Sequence, residues 1–175
     1  MSAIAMPRII KAYVRYVDAV NRVLGYFVMY LTLVIMAVLL FGSLTRYVFN
    51  IPFVWIIELA QFLMAAYYIL GGGYSMQLDA HVRMDVLYER WRPKTRAFMD
   101  SLTAFFLVFY LAMMVRGGFA SSAYSLKYNQ TNYSAWAPPM APIKIIMTVG
   151  IALMLLQAIS IFFKDVAKFT GREIA

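Results

Sequence analysis

The chain has 175 residues, 63% of them hydrophobic and only 14% charged, which is the composition of a membrane protein and not of a soluble domain. It has no cysteine and one histidine, which excludes disulfides and thiolate catalysis and leaves little room for a histidine metal site or a bis-histidine haem. Its formal net charge is +8, and the lysines and arginines lie between apolar runs. Membrane topology and anionic lipid explain this distribution better than a nucleic acid partner does.

The first element is a basic amphipathic segment at residues 8–22. Its charged residues recur at spacings of three and four, which places them on one face of a helix opposite an apolar face. They are Arg8, Lys11, Arg15, Asp18 and Arg22. The pattern predicts an N-terminal amphipathic helix that lies in the membrane surface and leads into the bilayer. A cleaved signal peptide is disfavoured, because the apolar run that follows is too long.

Four apolar segments follow, and about 20 residues suffice to cross the hydrocarbon core. We expect spans at about residues 23–45, 55–77, 97–115 and 143–163. In the second span, Gly71, Gly72 and Gly73 predict a packing seam, since small residues let membrane helices approach closely. The predicted fold class is an all-α integral membrane protein, with residues 1–175 forming a single four-helix transmembrane domain.

The two longer connections differ in composition. Between the second and third spans, apolar residues at i, i+3, i+4 and i+7 predict a short cytoplasmic surface helix within residues 81–92, which Pro93 should end. Residues 121–142, between the third and fourth spans, are rich in Ser, Tyr, Asn and Pro and carry few charges. Trp91 and Trp136 are the candidate lipid-interface anchors, since tryptophan favours the headgroup level.

The cations predict the orientation of the chain in the membrane. Twelve of the 16 lysines and arginines lie before the first span, between the second and third spans, or after the fourth. The four on the opposite side are Arg46, Arg116, Lys127 and Lys144. The positive-inside rule therefore places both termini in the cytoplasm.

Glu58 is the one acid well placed to lie within a span, just beyond Trp55. A charged and unpaired carboxylate at that depth costs a few kcal/mol, so it needs a partner. One interpretation is a proton- or ion-coupling carboxylate. The other is a structural pair, with Arg46 across the turn or with a cation of a partner chain. A single acid near the interface is weak support for an ion-coupled pump, so the structural role is favoured.

Other candidate sites are weak. His81, Arg83 and Asp85 alternate at a spacing of two, so they do not share a helical face, and one His with one Asp makes a poor metal site. These residues are better explained as fixing the end of the second span to the surface helix or to a partner subunit. The sequence has no Gly-rich phosphate loop, no Ser/His/Asp set and no paired catalytic carboxylates. Enzyme chemistry is therefore disfavoured, and no cofactor is predicted.

Residues 46–85 resemble the small membrane (Q-type) subunit of TRAP transporters, the tripartite ATP-independent periplasmic transporters. The resemblance rests on Arg46-Tyr47-x-Phe49-Asn50-x-Pro52-Phe53-x-Trp55-x-x-Glu58-Leu59-Ala60, on Gly71, and on His81-Val82-Arg83-Met84-Asp85. The predicted layout of four spans, with both termini on the same side of the membrane, extends the resemblance over most of the chain. In one departure, Ile57 stands where the family commonly has the first of two adjacent acids.

The resemblance implies a complex in which a periplasmic binding protein delivers an organic anion to a large many-span subunit that carries the substrate and sodium sites. The small subunit would pack against the scaffold of the large one in the bacterial inner membrane and would bind no solute itself. Its partners would be the large subunit, the binding protein and membrane lipids. The residues expected to shape it or its contact with the large subunit are Arg46, Asn50, Trp55, Glu58, Gly71, Gly72, His81, Arg83 and Asp85.

Two other classes of function remain open from the sequence. A self-sufficient small exporter, a four-span dimer, would use Glu58 for proton exchange. A membrane anchor of a redox complex would use the four spans alone, because His81 by itself cannot form a bis-histidine haem site.

Overall fold

The computed structural model describes residues 8–78 and 93–169, which form four helices. They are α1 (Arg8–Phe49), α2 (Val54–Gln77), α3 (Pro93–Lys127) and α4 (Ala141–Phe169). Each contains a stretch long and apolar enough to cross a membrane, by length and composition. Apart from one isolated bridge in a loop, these described residues hold no β-structure. The predicted class, an all-α membrane protein with four candidate spans, is confirmed.

The predicted separate N-terminal amphipathic helix is not present. Residues 8–22 are instead the first part of α1, a continuous helix of 42 residues. The change from charged to apolar composition near residue 23 marks a position relative to the membrane, and no proline stands there to end a helix; α1 continues through Asn21 and Gly25. At about 1.5 Å per residue α1 is about 63 Å long, roughly twice the hydrocarbon thickness, so its charged first part projects beyond the apolar core.

The turn between α1 and α2 has a clear local cause. Asn50 adopts a left-handed backbone conformation with φ of 52°, which ends α1 at Phe49. Pro52 follows and has no N–H to continue a helix. Phe53 precedes α2 in an extended conformation, and its ring stacks on that of Phe41 with centroids 6.4 Å apart. The turn is thus fixed by backbone geometry and aromatic packing.

α3 extends well past the predicted end of the third span at residue 115. It begins at Pro93, where a proline is suited to the first turn of a helix, and continues to Lys127. The following loop, residues 128–140, is folded: Thr131 pairs with Pro139, and the Met140 N–H donates to the Gln130 carbonyl at 2.8 Å. The predicted surface helix within residues 81–92 lies outside the described residues.

The helices pack in the order α1, α2, α4, α3, with α1 also touching α4. α4 is therefore the central element, and Met76, Leu111, Ile151 and Ala158 form a buried core around it. Below, the terminal end of the bundle means the end where α1 begins and α4 finishes. The loop end means the opposite end, with the α1–α2 turn and residues 128–140.

Candidate functional site

Glu58 lies in the second turn of α2 at the loop end and is only 7% exposed. Its Oε2 atom accepts a long hydrogen bond from Asn132 Nδ2 at 3.4 Å. The Asn132 backbone N–H in turn donates to the Pro138 carbonyl at 3.0 Å, which holds the amide in the loop. Arg46 is exposed, and among the side chains that the structure describes no cation lies within ion-pair distance of Glu58. The carboxylate therefore meets a loop amide and not the arginine across the turn.

The other predicted residues of the α1–α2 turn do not form a polar site. Arg46 lies in the last turn of α1 and is exposed. Asn50 contributes its left-handed backbone conformation, which ends the helix. Trp55 is half-buried, with its ring centroid 6.1 Å from that of Phe53. Trp136 is 44% exposed in the loop of residues 128–140, and its role as a lipid-interface anchor stays a prediction. The remaining predicted residues, His81, Arg83, Asp85 and Trp91, lie outside the described part of the chain.

The three consecutive glycines of α2 are contacts inside the fold. A Cβ at Gly71 would lie 3.3 Å from Val28 of α1, and one at Gly72 would lie 2.7 Å from the sulfur of Met154 in α4. A Cβ at Gly73 would lie 2.5 Å from Asn21 Oδ1 of α1. Real Cβ atoms essentially never approach within 3.0 Å and seldom within 3.4 Å, so these positions let α2 pack tightly between α1 and α4.

The largest polar assembly among the described residues was not expected from the sequence. It lies at the terminal end and joins α1 to α4; we call it the Asp18 cluster, formed by Asp18, Asn21, Gln157, Ser160 and Lys164. Asp18 Oδ1 accepts from Gln157 Nε2 at 2.9 Å and from Ser160 Oγ at 3.5 Å, and its Oδ2 pairs with Lys164 Nζ at 2.7 Å. Gln157 Oε1 accepts from Asn21 Nδ2 at 2.8 Å.

The direction of these hydrogen bonds is fixed by the carboxylate of Asp18. An ionised carboxylate only accepts, so Gln157 presents its NH₂ group to Asp18 and its oxygen to Asn21. Asn21 therefore donates, and its own Oδ1 is a buried acceptor without a donor among the described residues. Gln157 is 0% exposed and Asn21 1% exposed, so the cluster is largely closed to solvent and lipid.

A second set of polar contacts fastens the loop end. Gln130 Oε1 accepts from Lys144 Nζ at 2.8 Å and from Ser125 Oγ at 2.8 Å, which ties the loop to both α4 and α3. The hydroxyls of Ser122 and Thr148 are hydrogen-bonded at 3.0 Å between the same two helices. The Gln130 contacts and the Ser122–Thr148 contact thus both fasten α3 to α4, the first through the loop and the second directly.

Within the described residues, no group of three or more His, Cys, Asp or Glu side chains is arranged to hold a metal ion. Four long apolar helices whose polar side chains fasten one helix to another define a multi-pass membrane protein. The family model for the DctQ component of tripartite ATP-independent periplasmic transporters matches residues 35–168. The chain therefore belongs to this family and is a small membrane subunit of a TRAP transporter, as the resemblance of its motifs indicated. No curated protein matches the chain.

The Asp18 cluster had a weak signal in the sequence. Gln157 and Ser160 are three residues apart in an otherwise apolar span, and Asp18 and Asn21 have the same spacing in α1. Such spacing places each pair on one helical face, where polar groups need partners. The sequence contained no indication that the two faces meet, because 139 positions separate Gln157 from Asp18.

Proposed function

We propose that the chain is the non-catalytic scaffold subunit of a TRAP transporter. It packs against the large membrane subunit and supports sodium-coupled uptake of an organic anion that a periplasmic binding protein delivers. The observation that carries the proposal is the family match over residues 35–168, together with a fold in which the acids Asp18 and Glu58 are bonded to side chains of the same chain. Under this proposal the chain itself has no enzymatic activity and no substrate site.

The distribution of burial supports a scaffold over a carrier. Glu58, the one acid of the loop end, is buried and meets Asn132, and Asp18 is paired with Lys164 and with buried amide and hydroxyl groups. A coupling carboxylate needs an aqueous route and a partner that changes during the cycle. The described part of the chain offers Glu58 neither a second acid nor a cation.

The outward faces of α1 and α3 support docking in the membrane. They expose many large apolar side chains, among them Phe27, Leu40, Phe105, Phe109 and Met113. Such faces suit either lipid or a larger membrane protein. We place the chain in the bacterial inner membrane with both termini in the cytoplasm, because the cations flank the terminal end.

The predicted residues divide between two roles under this proposal. Asn50, Glu58, Gly71 and Gly72 shape the subunit, since each is engaged within the chain. Arg46 stands exposed at the end of α1, next to Tyr47, which is 91% exposed, and we assign it to the contact with the large subunit. His81, Arg83, Asp85 and the half-buried Trp55 are proposed to support the same contact.

Affinity purification from native membranes tests the proposal. The tagged chain, extracted in mild detergent, is expected to bring down a stoichiometric and much larger many-span protein, identified by mass spectrometry. Arg46→Ala should reduce the recovered partner. Arg116→Ala, an exposed cation at the middle of α3, is the matched control and should leave recovery unchanged. A clean homo-oligomer, or solute binding by the isolated chain in calorimetry, would contradict the proposal.

A further inference from the structure

The terminal end carries an open pocket of about 1020 Å³ beside the Asp18 cluster. Three cations and one carboxylate line it, which gives it a net charge of +2. The charged residues are Lys11, Arg15 and Asp18 of α1 and Lys164 of α4. Ala12 and Ala19 contribute small side chains to the wall, which keeps the pocket open between the longer cationic ones.

The Asp18 cluster pairs two of these four charges with each other, those of Asp18 and Lys164. Asp18 accepts from Lys164, Gln157 and Ser160, so its negative charge is compensated by groups of α4 although the side chain borders the pocket. Lys11 and Arg15 lie one helical turn apart on the pocket side. Among the side chains that the structure describes, no carboxylate is within ion-pair distance of either. Within the described side chains, Lys11 and Arg15 thus border an open cavity without a carboxylate partner.

The position of the pocket along α1 defines the kind of ligand. Lys11 and Arg15 belong to the part of α1 that projects beyond the hydrocarbon core. On the bilayer side of the pocket, α1 exposes a run of large apolar side chains. They are Val23, Tyr26, Tyr30 and Leu33, each more than half exposed. A cationic pocket that opens onto an apolar helix face matches a molecule with an anionic head and hydrocarbon chains.

The geometry points to a binding site for an anionic phospholipid, with the headgroup phosphate between Lys11 and Arg15 and the acyl chains along the exposed face of α1. Lys164 completes the pocket while it remains paired with Asp18. A zwitterionic lipid carries a headgroup amine that the two cations repel, so the site discriminates by headgroup charge. The site lies in the leaflet that faces the terminal end.

Lipid titration into the purified full chain, in detergent and together with any co-purifying subunit, tests the site by native mass spectrometry. Phosphatidylglycerol and phosphatidylcholine with identical acyl chains are the probes. The wild-type chain is expected to retain phosphatidylglycerol preferentially. The Lys11→Gln/Arg15→Gln variant should lose affinity for it by on the order of tenfold, since each cation near an anionic headgroup contributes to binding. Equal retention of the two lipids by the wild-type chain would overturn the assignment.

The matched control is Arg116→Gln/Lys127→Gln, which removes two exposed cations from α3 and leaves the pocket intact. It should retain phosphatidylglycerol like the wild type, and an equal loss would show non-specific attraction and refute the site. Glycerol phosphate tests for a phosphate site without lipid. It should fail to displace the lipid at equal concentration, and displacement would overturn the assignment. Exclusion of phosphatidylglycerol from wild-type chain bound to the large subunit would assign the pocket to a protein contact instead.

Discussion

Replacing Gln157 by leucine is expected to destabilise the protein, because Gln157 relays the hydrogen bonds of the Asp18 cluster. Its amide accepts from Asn21 at 2.8 Å and donates to Asp18 at 2.9 Å, and the side chain is 0% exposed. Leucine has a similar size but makes neither bond. The variant therefore leaves the Asn21 NH₂ group buried without an acceptor and removes one donor from Asp18.

The size of the effect follows from these two lost bonds. A hydrogen bond between membrane helices contributes about 0.6 kcal/mol on average and about 1.7 kcal/mol at most. A stranded buried donor costs about 1–3 kcal/mol. The carboxylate of Asp18 keeps Lys164 at 2.7 Å, so no bare charge is created. We therefore expect Gln157→Leu to lower the free energy of unfolding by about 1–3 kcal/mol.

Unfolding of the full chain in micelles of mild detergent with increasing SDS measures this free energy. Gln61→Leu is the matched control, because Gln61 is exposed on α2 and its replacement should be neutral. In an Asn21→Leu background, Gln157→Leu should have a smaller effect, since their shared bond is already absent. Strictly additive effects, or a Gln157→Leu variant as stable as the wild type, would refute the relay.

Two further predictions concern α2. Gly73→Ala should lower the free energy of unfolding by about 1–3 kcal/mol in the same micelles, because its Cβ would press on Asn21 Oδ1. Gly117→Ala, whose Cβ would meet nothing within 4 Å, should not, and a matching loss there would contradict the packing argument. Glu58→Gln keeps an oxygen that accepts from Asn132, so assembly and uptake should remain close to wild type. Loss of uptake with intact assembly would instead identify Glu58 as a coupling carboxylate.

The four spans could be predicted because hydropathy acts locally along the chain. The ends of the helices were harder, since the signals that end a soluble helix are weaker in a membrane. Gly117 and Gly118 lie within α3 and do not stop it. At Gly118 the missing side chain admits Thr148 of α4, because a Cβ there would lie 2.8 Å from its hydroxyl. In contrast, the end of α1 could be predicted from Asn50 and Pro52, which act through the backbone alone.

The polar partners could not be predicted, for a different reason. Glu58 clearly needed a partner, and Arg46 was the nearest candidate in sequence. The structure brings Asn132 to it across 74 positions, because residues 128–140 fold back over the loop end. The spacing of the charges places Asp18 on the cationic face of the N-terminal segment, although its carboxylate bonds to α4. Which faces meet is decided by the packing of all four helices, and that information is not carried by any one segment.

The packing order also explains why this chain is suited to work with a partner. The helices α1, α2 and α4 touch one another, whereas α3 packs mainly on α4, and 33% of the residues in the most apolar stretch of α4 are buried, against 17% for α1 and 11% for α3. A closed bundle would bury one face of every helix to a similar degree. This uneven packing leaves broad apolar faces on α1 and α3, while the Asp18 cluster at one end and the Gln130 contacts at the other hold α4 in place. Exposed apolar faces on an internally fastened bundle support the proposed role of a scaffold subunit.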